Sequence, residues 1–188
     1  MLKPVILIGG TAGTGKSTLA RELSSHFAID HRIGTGFIRE ILKSQHSEEV
    51  APELYRFTFR AERPIDNLIA QAERLRPAVT SCITRAKNEG TSLVIEGNHL
   101  LPALYRDAPV DLFIMLSAPA PEEHFRRLNG PSHAKRRTTE SDFANVRRIA
   151  AWLESEAERC GISMMLYGNN LASFIDALDS VARNGRAV

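Results

Sequence analysis

The sequence predicts an α/β domain built on a parallel β-sheet with helices on both faces. Short apolar runs, Val5–Ile8, Leu93–Ile95 and Leu112–Leu116, recur along the chain without strict alternation, as strands covered on both sides do. Stretches of helical period separate them, and turn residues punctuate the boundaries. The 188 residues leave room for one compact domain with one core, taken here as residues 1–188.

In order, Pro4–Ile8 reads as the first strand, closed by Gly9 and Gly10. Lys16–Phe27 is a helix with Leu19, Leu23 and Phe27 on one face. A weak strand follows at His31–Gly34, then a short helix at Phe37–Lys43 that Arg39 opens. Residues 46–63 are the least regular part. Pro64 suits the first turn of a long amphipathic helix whose stripe runs Ile65, Leu68, Ile69, Ala72, Leu75, Val79, Ile83 and Ala86. Pro77 inside it predicts a kink or break, and Asn88-Glu89-Gly90 a stop. After the strands at 93–95 and 112–116 come a helix at Pro119–Leu128 and a basic polar segment from Pro131 to about Thr139. A helix at about Ser141–Arg159, a strand at Ile162–Tyr167 and a helix at Ala172–Ala182 complete the chain.

Composition excludes more than it proposes. A hydrophobic fraction of 43% and a charged fraction of 24% are ordinary for a soluble domain. The net charge of +2 argues for neither a nucleic-acid nor a membrane partner, and no apolar stretch reaches the length of a membrane span. Cys82 and Cys160 have no metal-type or redox-type spacing, so reduced thiols and a cytoplasmic location are expected.

The segment Gly10-Thr11-Ala12-Gly13-Thr14-Gly15-Lys16-Ser17 matches G-x-x-x-x-G-K-[ST] in full, between a predicted strand and a predicted helix. Glycines let successive backbone N–H groups turn toward phosphate oxygens, and the helix that follows, with Thr18 in its first turn, adds its positive end. Lys16 reaches the β- and γ-phosphates, and the Ser17 hydroxyl ligates magnesium. The expected ligands are therefore ATP and Mg2+. Glu96 ends the run 93–95 where a parallel strand delivers side chains to such a site, and is the candidate second metal ligand and catalytic carboxylate. Asp111 stands at the beginning of its run, the wrong end.

Arg126 and Arg127 end one helix, and His133, Lys135, Arg136 and Arg137 follow within the basic segment. A basic lid at about 130–140, closing over a triphosphate, would use Arg126 to bind it and Arg136 and Arg137 to neutralise the moving phosphoryl group. Arg39, Lys43, Arg60 and Arg63 are candidates for holding an anionic acceptor, and His99 follows Glu96 in a short loop at the same sheet edge.

Ile6–Ser17 (ILIGGTAGTGKS), Ile33–Glu40 (IGTGFIRE), Gly90–Leu101 (GTSLVIEGNHLL) and Phe143–Ile149 with Asn145 and Arg147 resemble the 2-phosphoglycerate kinase family of P-loop kinases. The likeness reaches from residue 5 to about residue 165 and is poor between Lys43 and Arg63. The resemblance implies an ATP- and magnesium-dependent kinase of the P-loop NTPase fold. It implies five parallel strands, as in nucleoside-monophosphate kinases, and a small acceptor that tolerates an anionic group. Arg39, Glu96 and His99 fall on family positions that line the acceptor side. The family pattern places Asp where this chain has Gly36. That carboxylate orients the acceptor hydroxyl, so 2-phosphoglycerate is not carried over as the acceptor. Either Glu96 takes part of the role, or the acceptor needs no base, or the glycine makes room for a bulkier one. Two other classes compete with a small-molecule kinase. One is a nucleotide-dependent switch or regulatory ATPase. The other is a kinase acting on a nucleotide sugar or a nucleic-acid end, against which the near-neutral charge weighs only for a long footprint.

Overall fold

The computed structural model describes residues 3–130 and 138–168, together with Ala172 and Ile175. The elements are β1 (Val5–Gly9), α1 (Lys16–His26), β2 (His31–Gly34), α2 (Thr35–Gln45), α3 (Pro52–Tyr55), a 3-10 turn at Thr58–Arg60, and α4 (Pro64–Glu89). They continue with β3 (Leu93–Glu96), α5 (Pro102–Tyr105), β4 (Leu112–Ser117), α6 (Pro121–Leu128), α7 (Glu140–Arg159) and β5 (Ser163–Leu166). The strands form one sheet in the order β2-β3-β1-β4-β5, and every pairing is parallel. All five carboxyl ends therefore share one edge, where open α/β sheets place their ligands.

β1 is central and buried along its whole length because both faces are covered. Val5 and Leu7 join Leu93 and Ile95 against Leu75, Val79 and Ile83 of α4. Ile6 and Ile8 join Val94 on the opposite face, against Leu19, Ala20 and Leu23 of α1. Each such side chain stabilises the fold by about 1.5–3 kcal/mol relative to exposure. A third cluster packs Leu68 and Ala72 of α4 against Ile149, Leu153 and Ala157 of α7. At the sheet's other edge Asp111 accepts the Val5 N–H at 2.7 Å and the Lys87 ammonium at 2.8 Å, tying down the start of β1.

Three expectations are corrected. Helix α4 runs through Pro77 without a break. Pro77 and Glu73, whose carbonyl loses its helical partner, both lie in exposed positions where water can take that bond, while the buried stripe continues beneath them. Arg39 does not open its helix, because α2 already begins at Thr35, directly after β2. The irregular stretch 46–63 contains α3 and the 3-10 turn, held by Gln71 of α4, whose amide donates to the carbonyls of Glu53 and Arg56. The helix expected at 172–182 and the segment 131–137 lie outside the described residues, apart from Ala172 and Ile175.

Candidate active site

The loop between β1 and α1 is shaped by backbone geometry that the sequence demands. Gly15 is the N-cap of α1 with φ 98°, in the left-handed region that favours glycine. A Cβ there would also stand 2.6 Å from the Tyr167 ring. No side chain caps α1, so its first-turn N–H groups face the loop without a side-chain acceptor, the arrangement that receives an anion. Thr14 donates its hydroxyl to the Thr11 carbonyl at 3.0 Å. The Lys16 ammonium donates to the same carbonyl at 2.5 Å and is only 9% exposed. Burial lowers the Lys16 pKa to about 8, against the attraction of Glu96, which raises it. A buried cation held by one backbone carbonyl is a poor final state for an ammonium with three donors, and phosphate oxygens would complete its partners.

The far side of the loop is clamped by α6. The His124 Nε2–H donates to the Ala12 carbonyl at 2.7 Å, and Nδ1 faces the Arg147 guanidinium at 3.4 Å. A carbonyl can only accept, so the proton sits on Nε2. Neither contact was read from the sequence, although Arg147 lies in a segment singled out there.

Glu96 stands at the carboxyl end of β3, in register with Ile8 on one side and Gly34 on the other. Its Oε1 accepts the Ser17 hydroxyl at 2.9 Å. Two hard oxygen donors meeting at the mouth of the loop suit Mg2+, which takes its remaining ligands from water and phosphate. Among the described residues no group of three or more His, Cys, Asp or Glu side chains could hold a metal, so a cation here would depend on ligand oxygens. Ser17 and Glu96 open onto a cleft of about 400 Å³ lined also by Arg21, Arg32, Ile33, Gly34 and Phe37.

His99 is 3% exposed and both ring nitrogens are engaged. Nδ1 lies 2.8 Å from the Thr35 hydroxyl and Nε2 lies 3.1 Å from Gln71 Oε1. Because the Gln71 amide nitrogen is spent on two carbonyls, its oxygen accepts, from Nε2–H of His99 and from the Thr58 hydroxyl at 2.7 Å. Thr35 then donates to Nδ1. Burial, with Arg39 and Lys16 nearby, lowers the His99 pKa to about 3 and keeps the ring neutral. The ring expected to touch the acceptor therefore positions the start of α2 instead. Gly97 permits this, since a Cβ there would collide with the Thr35 side chain.

The arginines expected at the acceptor are paired. Arg39 bonds Glu40 through Nη2 at 2.8 Å while its buried Nε has no hydrogen-bond partner among the described residues, Arg60 meets Asp142 at 3.2 Å and lies over the rings of Phe57 and Phe59, and Arg63 is 82% exposed beside Asp66. None of them lines the cleft. Arg126 is 75% exposed and bound to Glu123 of its own helix, because α6 turns His124 and Leu128 inward instead. Arg136 and Arg137 lie outside the described residues. Arg21 and Arg32, which do line the cleft, were missed, although spacing could have found them. Arg21 is four residues after Ser17 on α1, and Arg32 alternates with Gly34 along β2, so each shares a face with a cleft residue.

A glycine-rich loop between β1 and α1, a carboxylate on the neighbouring strand and five parallel strands in this order define a P-loop nucleotide-binding fold of the kinase type. Residues 6–149 match the family described as AAA domain, and the chain belongs to that family. It is 32% identical over 177 residues to the 2-phosphoglycerate kinase of Methanocaldococcus jannaschii, covering 86% of this chain and 57% of that protein. It is 28% identical over 180 residues to the 2-phosphoglycerate kinase of Methanopyrus kandleri, covering 86% of this chain and 55% of that protein. The resemblance to 2-phosphoglycerate kinases is thus borne out, and the chain spans little more than half the length of these relatives. The shikimate kinase of Acinetobacter baumannii, solved with shikimate, shares the fold with a TM-score of 0.57 at 15% identity, over 98% of this chain and 92% of that one. No helix among the described residues is long and apolar enough to cross a membrane.

Proposed function

We propose that this chain is an ATP- and magnesium-dependent kinase that transfers the γ-phosphate to a small-molecule acceptor. The observation that carries the reading is the Ser17–Glu96 hydrogen bond at 2.9 Å, placed between the loop with its buried Lys16 and an open cleft. The loop's N–H groups and Lys16 would hold the β- and γ-phosphates, while Ser17 and Glu96 would hold Mg2+, which offsets the charge of the triphosphate. In the transfer, the acceptor hydroxyl oxygen bonds the terminal phosphorus as that phosphorus parts from its bridging oxygen. ADP leaves, and the hydroxyl proton passes to Glu96 or to a water it holds. Such a loose transition state asks mainly for positioning and charge, which is why the absence of a carboxylate at Gly36 is compatible with catalysis. A Cβ at Gly36 would meet nothing within 4 Å, so the missing side chain is not a consequence of packing at that position.

The test is ADP release from ATP and Mg2+ in the presence of 2- and 3-phosphoglycerate, glycerate, shikimate and simple sugars. Release that rises in step with phosphorylation of one compound is expected. Tight ATP binding with no stimulation across the panel would count against the kinase reading and favour a nucleotide switch.

A further inference from the structure

We propose that Arg21 and Arg32 form the anion-holding subsite for the acceptor, which therefore carries a carboxylate or phosphate group. This deepens the kinase reading and rests on it. Both arginines are among the residues that line the cleft with Ser17 and Glu96, and both lie in exposed positions. Neither makes an ion pair or side-chain hydrogen bond among the described residues, whereas Arg39, Arg60 and Arg63 each have a carboxylate partner. Glu96 is the one carboxylate among the lining residues, and it already accepts from Ser17. Among the described residues the cleft therefore sets two fork-shaped cations against a single carboxylate already engaged by Ser17, an arrangement that fits bidentate recognition of carboxylate or phosphate.

Geometry also says how the ligand lies. Arg21 comes from the second turn of α1, and Arg32 from β2, two residues before Gly34. Glu96 Oε1 lies 3.3 Å from where a Cβ of Gly34 would be, and the Phe37 ring lies 3.6 Å from the same point. The absence of a side chain at Gly34 leaves a passage from the arginines to the carboxylate. A ligand whose anionic group lies on Arg21 and Arg32 would present its hydroxyl at Glu96, with its carbon skeleton against Ile33 and Phe37, which is 76% exposed. Such a pose puts the attacking oxygen on the side where Lys16 and the loop would hold the triphosphate.

The experiment is calorimetric titration of the full chain, loaded with Mg2+ and a non-hydrolysable ATP analogue, with 2-phosphoglycerate, glycerate and inorganic phosphate as probes. Arg21→Met, Arg32→Met, the double variant, and Arg85→Met as an exposed control on α4 are compared. Each single cleft variant is expected to weaken anion binding about tenfold and the double about a hundredfold, as charge-assisted hydrogen bonds are lost. Analogue affinity should stay within about twofold in all of them, because neither arginine belongs to the phosphate loop at residues 10–17. Equal anion affinity in the double variant overturns the proposal, and so does a wild-type chain that binds the analogue but none of the three anions. Loss of analogue affinity in the variants overturns it too, by assigning the guanidiniums to the triphosphate. If the analogue does not bind while phosphate binds in an Arg21- and Arg32-dependent way, the subsite stands and the kinase reading falls.

Discussion

The two sides of the cleft are built on opposite plans. On the loop side the polar groups have partners within the chain. Lys16 and Thr14 hold the Thr11 carbonyl, His124 holds Ala12, and Ser17 holds Glu96. On the other side, Arg21 and Arg32 have no ion pair or side-chain hydrogen bond among the described residues, Phe37 is 76% exposed, and Gly34 carries no side chain. A preorganised charge site costs little reorganisation when phosphate moves, which is where electrostatic catalysis gains most. An open recognition side leaves the choice of acceptor to a few exposed groups. The contrast teaches that chemistry and specificity are separately tunable here, and that substitutions on the two sides should fail differently.

The largest effect should come from the loop side. Lys16→Ala is expected to lower turnover by about 10²–10³-fold, the range for losing one donor to a developing charge. The melting temperature without ligand should hold or rise, because the substitution removes a buried cation rather than core. A large drop would make Lys16 a structural residue and break the comparison. The same ammonium predicts a pH dependence. Its pKa is lowered from 10.5 to about 8 in the folded chain, so between those values the unfolded chain binds more protons. Stability without ligand should therefore rise from about pH 8 toward 10.5. ATP affinity should fall over the same interval, since the triphosphate requires the charged form. Both trends should vanish in Lys16→Met.

Glu96→Gln comes next. It should lower magnesium-dependent turnover by about 10–10²-fold while leaving metal-free ATP binding nearly intact, since in the proposed function it would hold the cation rather than the phosphates. Equal loss of both would move Glu96 to a structural role.

A smaller effect, on stability rather than rate, is expected where the two sides meet. His99→Leu would leave Gln71 and Thr35, each 0% exposed, short of a partner, and should cost about 1–3 kcal/mol in denaturant unfolding. The His99 pKa is lowered from 6.5 to about 3, so the folded chain binds fewer protons than the unfolded chain between those values. Stability should fall as the pH drops from 6.5 toward 3, and the leucine variant should lose that component of its acid sensitivity. An unchanged acid profile would mean that the ring is charged in the folded chain.

What could be read in advance follows the same division. The loop is contiguous in sequence and each residue type has a local reason, so Gly10–Ser17 announced itself, and Glu96 followed from its place at the end of an apolar run. The central strands were equally legible because burial on both faces leaves an uninterrupted apolar signal in β1, β3 and β4. The acceptor side is assembled from positions far apart in the chain, and a charged residue reads the same in sequence whether a carboxylate waits for it or not. Arg39 and Arg60 stood out there, yet Glu40 and Asp142 claim them, the second from 82 residues away. Pro77 misled because its consequence depends on whether its side of α4 meets water, which only packing decides.

The smallest expected effect sharpens the division most. Arg63, on its charge alone, belongs with the acceptor, but its partner is Asp66 in the first turn of α4 and its side chain is 82% exposed. An exposed pair of this kind contributes about 0–1 kcal/mol. Arg63→Ala should therefore leave denaturant stability within about 0.5 kcal/mol, with any loss shrinking further in high salt as the charges are screened. Anion binding should also be untouched, because no atom of Arg63 lines the cleft. A severalfold loss of anion affinity in Arg63→Ala would require the start of α4 to reach the cleft when ligand binds. The open side would then close around its acceptor, and Arg21 and Arg32 would share the anion with a third guanidinium.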